Sequence, residues 1–136
     1  REDYFLRFDA RDCIRCTVIG RDGLVDAHHV VHELENGLLP VKAELFDRDA
    51  MVMEDGQVQE ISLLTPDKKP YVKVSFDTPV VAVWTPERMN APFVCIEPWY
   101  GLCDHVDFDG TLEERKWGNA VEAGKRFAAE YVIQVG

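Results

Sequence analysis

The segment from Ala91 to Asp104 concentrates the residue types that could do chemistry. An apolar run, Phe93-Val94-Cys95-Ile96, ends in the carboxylate of Glu97, and Pro98, Trp99, Tyr100 and Gly101 follow at once. A carboxylate closing an apolar strand is partly desolvated, which suits it to general-base work. Trp99 and Tyr100 can offer apolar faces to a sugar ring while the carboxylate takes its hydroxyls. Pro98 carries no backbone donor, so it should stop the strand ladder and turn the chain at the carboxylate. Composition alone also allows a plainer reading, a strand-end Glu beside core aromatics. A second carboxylate cluster lies in Leu45-Phe46-Asp47-Arg48-Asp49-Ala50-Met51-Val52-Met53. There Asp49 opens a strand and can reach a pocket at its end. Asp47 and Arg48 read as a solvated ion pair worth under about 1 kcal/mol.

Four cysteines and four histidines raise the question of a metal. Cys13-Ile14-Arg15-Cys16 has a zinc-like spacing, with His28, His29 and His32 downstream. In a strand, however, an odd offset sends the two thiols to opposite faces, and Ile14-Arg15 is no tight turn. The expectation is no metal, with Cys95 and Cys103 packing as small hydrophobes and all thiols reduced in a cytoplasmic protein.

The elements that would position Glu97 and Asp49 are strands. Period-two alternation marks Tyr4–Phe8, Cys13–Ile19, His28–Leu34, Ala50–Met53, Val58–Leu64, Tyr71–Phe76, Val80–Trp84 and Phe93–Glu97. Asp22-Gly23, Asp55-Gly56 and Asp109-Gly110 supply turn chemistry, as does Pro66 to Pro70. Many short strands with turn signals between them indicate an antiparallel sandwich. Pro40–Phe46 reads as one or two helical turns. Leu112–Tyr131 favours helix by local propensity, while Tyr131–Val135 alternates like a strand.

The 136 residues hold 15 Lys and Arg against 25 Asp and Glu, a net charge of −10. That balance excludes nucleic acid and anionic membrane surfaces as partners, since both reward basic clusters. The chain opens at Arg1-Glu2-Asp3 without Met and runs straight into Tyr4–Phe8, which reads as a truncated or processed chain.

Two segments together resemble the aldose 1-epimerase (galactose mutarotase-like) superfamily, in its LacX-like branch. Leu45-Phe46-Asp47-Arg48-Asp49-Ala50-Met51-Val52 looks like that branch's LF-x-x-DAL-I strand. Ala91-Pro92-Phe93-Val94-Cys95-Ile96-Glu97-Pro98-Trp99-Tyr100-Gly101 is similar to its APFVCIEPW-x-G signature. The ending, from Val121 to Val135, looks like the closing strands, with Lys125 where a Glu is more usual. The resemblance implies an all-β antiparallel β-supersandwich of which residues 1–136 form only the C-terminal part, a single partial domain. It replaces helix with strand around Lys125–Glu130.

The resemblance also implies roles. Glu97 matches the catalytic base that takes the anomeric hydroxyl proton of an aldose. Asp49 matches the acidic residue that bonds sugar hydroxyls, and Trp99 becomes a pocket wall. The reaction implied is interconversion of α and β anomers by acid–base ring opening, with no cofactor. The family's usual acid is a His in a GGHPAF-like strand, and none of His28, His29, His32 or His105 has that context. The chain alone is therefore expected to be inactive, and to need an N-terminal part or self-association to cover open strand edges. A non-catalytic carbohydrate-binding protein on the same scaffold is the alternative. The nearest basic residues to Glu97 in sequence are Arg88 and Arg115, which favours an unphosphorylated aldose.

Overall fold

The computed structural model describes residues 3–86 and 91–136, so Arg1, Glu2 and 87–90, including Arg88, lie outside the described residues. In chain order the elements are β1 (Phe5–Phe8), β2 (Cys13–Ile19), β3 (Val25–Glu33), β4 (Leu38–Pro40), a 3-10 turn (Ala43–Phe46), β5 (Met51–Met53), β6 (Glu60–Leu64), β7 (Pro70–Phe76), β8 (Val80–Trp84), β9 (Cys95–Trp99), a second 3-10 turn (Leu112–Glu114) and β10 (Tyr131–Val135). They form two five-stranded sheets, β10-β7-β6-β1-β4 and β3-β2-β5-β8-β9. Every strand pairing is antiparallel. Alternate residues of each sheet meet in one core: Leu6, Phe8, Ile61, Val74 and Phe76 face Ile14, Cys16, Met51, Met53, Val81 and Val83. The all-β antiparallel sandwich expected from the alternation is the architecture observed.

Several boundaries differ from expectation. Pro98 does not stop its strand: β9 runs through it, with Pro98 paired opposite Val81. β9 is the outermost strand of its sheet, where a missing backbone donor need cost no ladder bond. Pro40 belongs to β4, and helical geometry starts only at Ala43. The stretch from 112 to 131 is a three-residue 3-10 turn followed by irregular chain, and residues 125–130 are neither helix nor strand. Gly118 and Gly124 interrupt the run, and local helix propensity is a weak preference that tertiary context overrides. Asp55 and Gly56 adopt the paired positive φ of a hairpin turn, at 62° and 60°. Yet they connect β5 of one sheet to β6 of the other, because turn chemistry sets the reversal and not the partner strand.

Strand β10 overhangs the sandwich. Tyr131, Ile133 and Val135 stand opposite Phe76, Val74 and Val72. Phe76 and Val74 are buried in the core, but Val135 is 80% exposed and Tyr131 and Ile133 are exposed as well.

The second sheet has a weak seam, since β2 and β5 share a single register pair, Thr17 opposite Val52. Side chains close it. The Gln57 amide takes the place of a strand residue: Arg15 N–H donates to its Oε1 at 2.9 Å, and its Nε2 donates to the Arg15 carbonyl at 2.9 Å. Glu54, just past β5 and 4% exposed, accepts from Thr17 Oγ1 at 2.5 Å across the same seam. Its other oxygen accepts from Trp117 Nε1 at 2.9 Å and from Lys116 Nζ at 2.7 Å. Burial by itself would raise the Glu54 carboxyl, but the bonds from Lys116, Thr17 and Trp117 outweigh it and bring it down to about 2.

Replacing Gln57 with Ala removes both bonds to Arg15 and is expected to cost about 1–2 kcal/mol in urea unfolding, with an unchanged denaturant slope. Glu54 sets a pH dependence. Its folded-state value lies below its ordinary 4.5, so its contribution is complete above 4.5 and is lost as pH falls towards about 2. The difference in melting temperature between the wild type and Glu54→Gln should therefore narrow as pH falls through that window.

Candidate functional site

Along β9 the period of two sends Cys95, Glu97 and Trp99 to one face of the second sheet, the face turned away from the core. Their register partners on β8 are Trp84, Ala82 and Val80. The row through Glu97 continues across the sheet as Ala82, Val52, Thr17 and His29. The small side chains at Ala82 and Val52 make a low floor beside Glu97. With Val80 they are buried beneath Ile19, Ala50, Trp99, Leu102 and Trp117. The outer face thus has a small apolar layer of its own, and Glu97 stands half-buried at its border.

Trp99 Nε1 donates to Glu97 Oε2 at 3.2 Å, so the expected base and the expected pocket wall are in direct contact. Burial and the adjacent Glu97 carboxylate push the Cys95 thiol up, which keeps it protonated beside the carboxylate.

Asp49 does not open a strand, because β5 begins at Met51. It ends the turn that follows Ala43–Phe46, with φ at 70°, and its Oδ1 accepts from the Ala50 N–H at 2.7 Å. The left-handed backbone is one that Asp tolerates, and it points the exposed carboxylate out of the strand alternation. A cavity of about 410 Å³ brings Asp49 and Trp99 together with Ile19, Gly101, Leu102 and Cys103. Glu97 does not line that cavity; it adjoins it through Trp99. No ion pair joins Asp47 to Arg48 among the described residues.

The cavity wall is a strap. After Trp99 the chain crosses the outer face towards β3, where the Val25 N–H donates to the Asp104 carbonyl and the Val106 N–H to the Val25 carbonyl. Residues 115–119 come back over it. Arg115 donates from Nε to Asp104 Oδ1 at 2.5 Å and from Nη2 to the Leu102 carbonyl at 3.1 Å. Asn119 Nδ2 donates to the Tyr100 carbonyl at 2.6 Å. Glu54 was not singled out by the sequence reading, although its signal resembled that of Glu97: Ala50-Met51-Val52-Met53 is an apolar run ending in a carboxylate. Lys116 and Trp117 lie over 60 residues further on, with no local pattern to link them to it.

The histidines stand apart from Glu97. His28, His29 and His32 are on β3, at the opposite edge of the sheet from β9. Four strand spacings of about 4.8 Å put roughly 19 Å between the two edges. His105 pairs with Val25 at the start of β3. Among the described residues no group of three or more His, Cys, Asp or Glu could hold a metal ion. Cys13 is exposed and Cys16 buried, as their odd offset requires, and all four cysteines are free. Burial pushes the Cys16 thiol up to about 12.

No family model matches the chain. The chromosomal and plasmid forms of Protein LacX from Lactococcus lactis subsp. lactis are each 27% identical over 117 residues, covering 84% of this chain and 39% of LacX. A galactose mutarotase related enzyme from Lactobacillus acidophilus superposes with a TM-score of 0.83 at 28% identity, over 99% of this chain and 45% of that one. A galactose mutarotase-like protein from Lactobacillus casei gives 0.71 at 21% identity, a likeness of fold, again over 45% of its length. The chain therefore spans under half the length of these relatives. Its fold is like that of the galactose mutarotase-like proteins, and it is similar in sequence to LacX.

Proposed function

We propose that these 136 residues carry the general-base side of an aldose 1-epimerase-like site, and that they are the later strands of a larger sandwich. The observation that carries the reading is the Glu97–Trp99 pair: a half-buried carboxylate bonded to an indole at the edge of a cavity sized for a small ligand. Glu97 takes the proton from O1 of the aldose, an acid protonates the ring oxygen, and the pyranose opens. Rotation about C1–C2 and reclosure give the other anomer. Trp99 lies against the sugar ring and Asp49 accepts from its hydroxyls. Arg115 and Lys116 are committed to Asp104 and Glu54, which supports an aldose without phosphate.

Ring opening needs an acid across the ring from the base, and the β3 histidines are too far from Glu97 to serve. In this reading the acid comes from a segment outside these residues. The same segment, or a second copy of the chain, would cover the overhanging face of β10. Activity of these residues alone is then not expected. The distance of the histidines also favours a second reading, a sugar-binding protein without catalysis.

In the complete protein, Glu97→Gln should lower the anomerisation rate of galactose or glucose by about 10²–10⁴-fold, measured by polarimetry. An unchanged rate would sink the enzyme reading. Calorimetric sugar binding without any acceleration of mutarotation would favour the binding protein. Trp99→Ala should weaken sugar binding by about tenfold, the size expected for losing one aromatic wall; an unchanged affinity would remove Trp99 from the pocket.

A further inference from the structure

We infer that Glu54 is a positioning residue for the cavity beside Glu97, one that sets sugar affinity by fixing the Gly101–Cys103 wall and takes no part in proton transfer. The inference rests on the sugar-site reading of Glu97 and Trp99.

Backbone bonds hold the wall only at its ends, at Trp99 in β9 and at Asp104 and Val106 beside Val25, and side chains hold what lies between. Residues 100–104 cross the sheet without belonging to a strand, and residues 111–119 contain only a three-residue 3-10 turn. Arg115 and Asn119 fasten the second segment to the first, through Asp104, the Leu102 carbonyl and the Tyr100 carbonyl. What fastens the second segment to the sheet is Glu54, through Lys116 at 2.7 Å and Trp117 at 2.9 Å. Lys116 also reaches Asp55 at 3.4 Å and lies 5.1 Å over the ring of Trp117. Trp117 then packs on the Val52, Val80 and Ala82 floor that also carries Trp99 and Leu102. Gly101 lies at ordinary contact range from the same segment, a Cβ there standing 3.9 Å from the Trp117 carbonyl and 4.0 Å from Asn119 Nδ2. The chain of contact runs from Glu54 to Trp117 and Arg115, and from them to Leu102 and the cavity.

Stability alone does not call for this arrangement. A buried ion pair can usually be exchanged for well-packed apolar residues without loss of stability, because the charges must be taken out of water first. What the carboxylate adds is direction. Its donors arrive from β2 and from the strap, and their geometry admits one placement of the strap over the sheet. Thr17 ties the same carboxylate to the β2–β5 seam, so the wall and the floor of the cavity share an anchor.

The test, in the complete protein, compares the wild type with Glu54→Gln and with Lys116→Gln, the latter at a half-exposed site. Ile61→Val, in the core and away from the strap, serves as a control for stability. Hydrogen–deuterium exchange should rise in residues 100–104 and 115–119 of both strap variants and stay unchanged in β6 and β7. The dissociation constant for galactose or glucose, by calorimetry, should rise about tenfold, and KM with it, while kcat stays within about threefold. Ile61→Val should lower the melting temperature and leave sugar affinity alone. Unchanged exchange in the strap, a looser strap with unchanged affinity, or a fall in kcat at constant KM would each overturn the inference. If Glu97→Gln keeps the wild-type rate, the enzyme reading fails, and the affinity of the Glu54 variant still decides the positioning role.

Discussion

The buried carboxylate of Glu54 joins parts of the chain that the backbone leaves nearly independent. β2 and β5 meet at one residue pair, and the strap from 100 to 119 is without regular structure except for one short 3-10 turn. Glu54 receives a hydroxyl from β2, and an ammonium and an indole from the strap. Breaking the bond to Lys116 would leave a buried carboxylate without its counter-charge, and breaking either of the others would take a donor from it. The second sheet and its cover are therefore fixed relative to one another by electrostatics where hydrogen-bonded ladders are lacking. Gln57 performs a neutral version of the same task, extending the ladder with a side-chain amide.

A sheet with two useful faces follows from that arrangement. Met51, Met53, Val81 and Val83 point inward and fill the sandwich, while Val52, Val80 and Ala82 point outward and carry a thinner apolar layer. Strands buried on both faces read as unbroken apolar runs, and Val80-Val81-Ala82-Val83-Trp84 is one. Glu97 tolerates its place because β9 is an edge strand at the border of that outer layer. It is sheltered enough to be held by Trp99, and open enough for a ligand to reach.

Much of this was legible in the sequence. Alternation located β1, β2, β5 to β8 and β10, and the Glu97 segment announced itself by an apolar run ending in a carboxylate with aromatics beyond it. Pro98 misled because its effect depends on whether a strand is central or at an edge, which is a property of the sheet and not of the residue. Asp49 misled more gently. A left-handed turn, and not the start of a strand, delivers its carboxylate to the cavity that Trp99 also lines. Glu54 escaped notice because its meaning lies in donors from β2 and from residues 116 and 117, contacts that no local pattern records. The Leu112–Tyr131 stretch shows the converse error, where favourable local composition is broken by Gly118 and Gly124 and overridden by tertiary context.

Strand order also governs what chemistry the chain can hold. Opening a pyranose requires a base at the anomeric hydroxyl and an acid at the ring oxygen, a few ångströms apart across one sugar. β9 and β3 are the two edges of one sheet, so a carboxylate on the first and histidines on the second can never meet over a single ring. Nor does the strap close the gap, since it brings His105 back to the β3 side. For the reaction proposed above, an acid partner to Glu97 would approach over the outer face, beside Trp99 and the floor of Ala82 and Val52. Glu54 matters most on that face, because the wall it anchors borders the same approach.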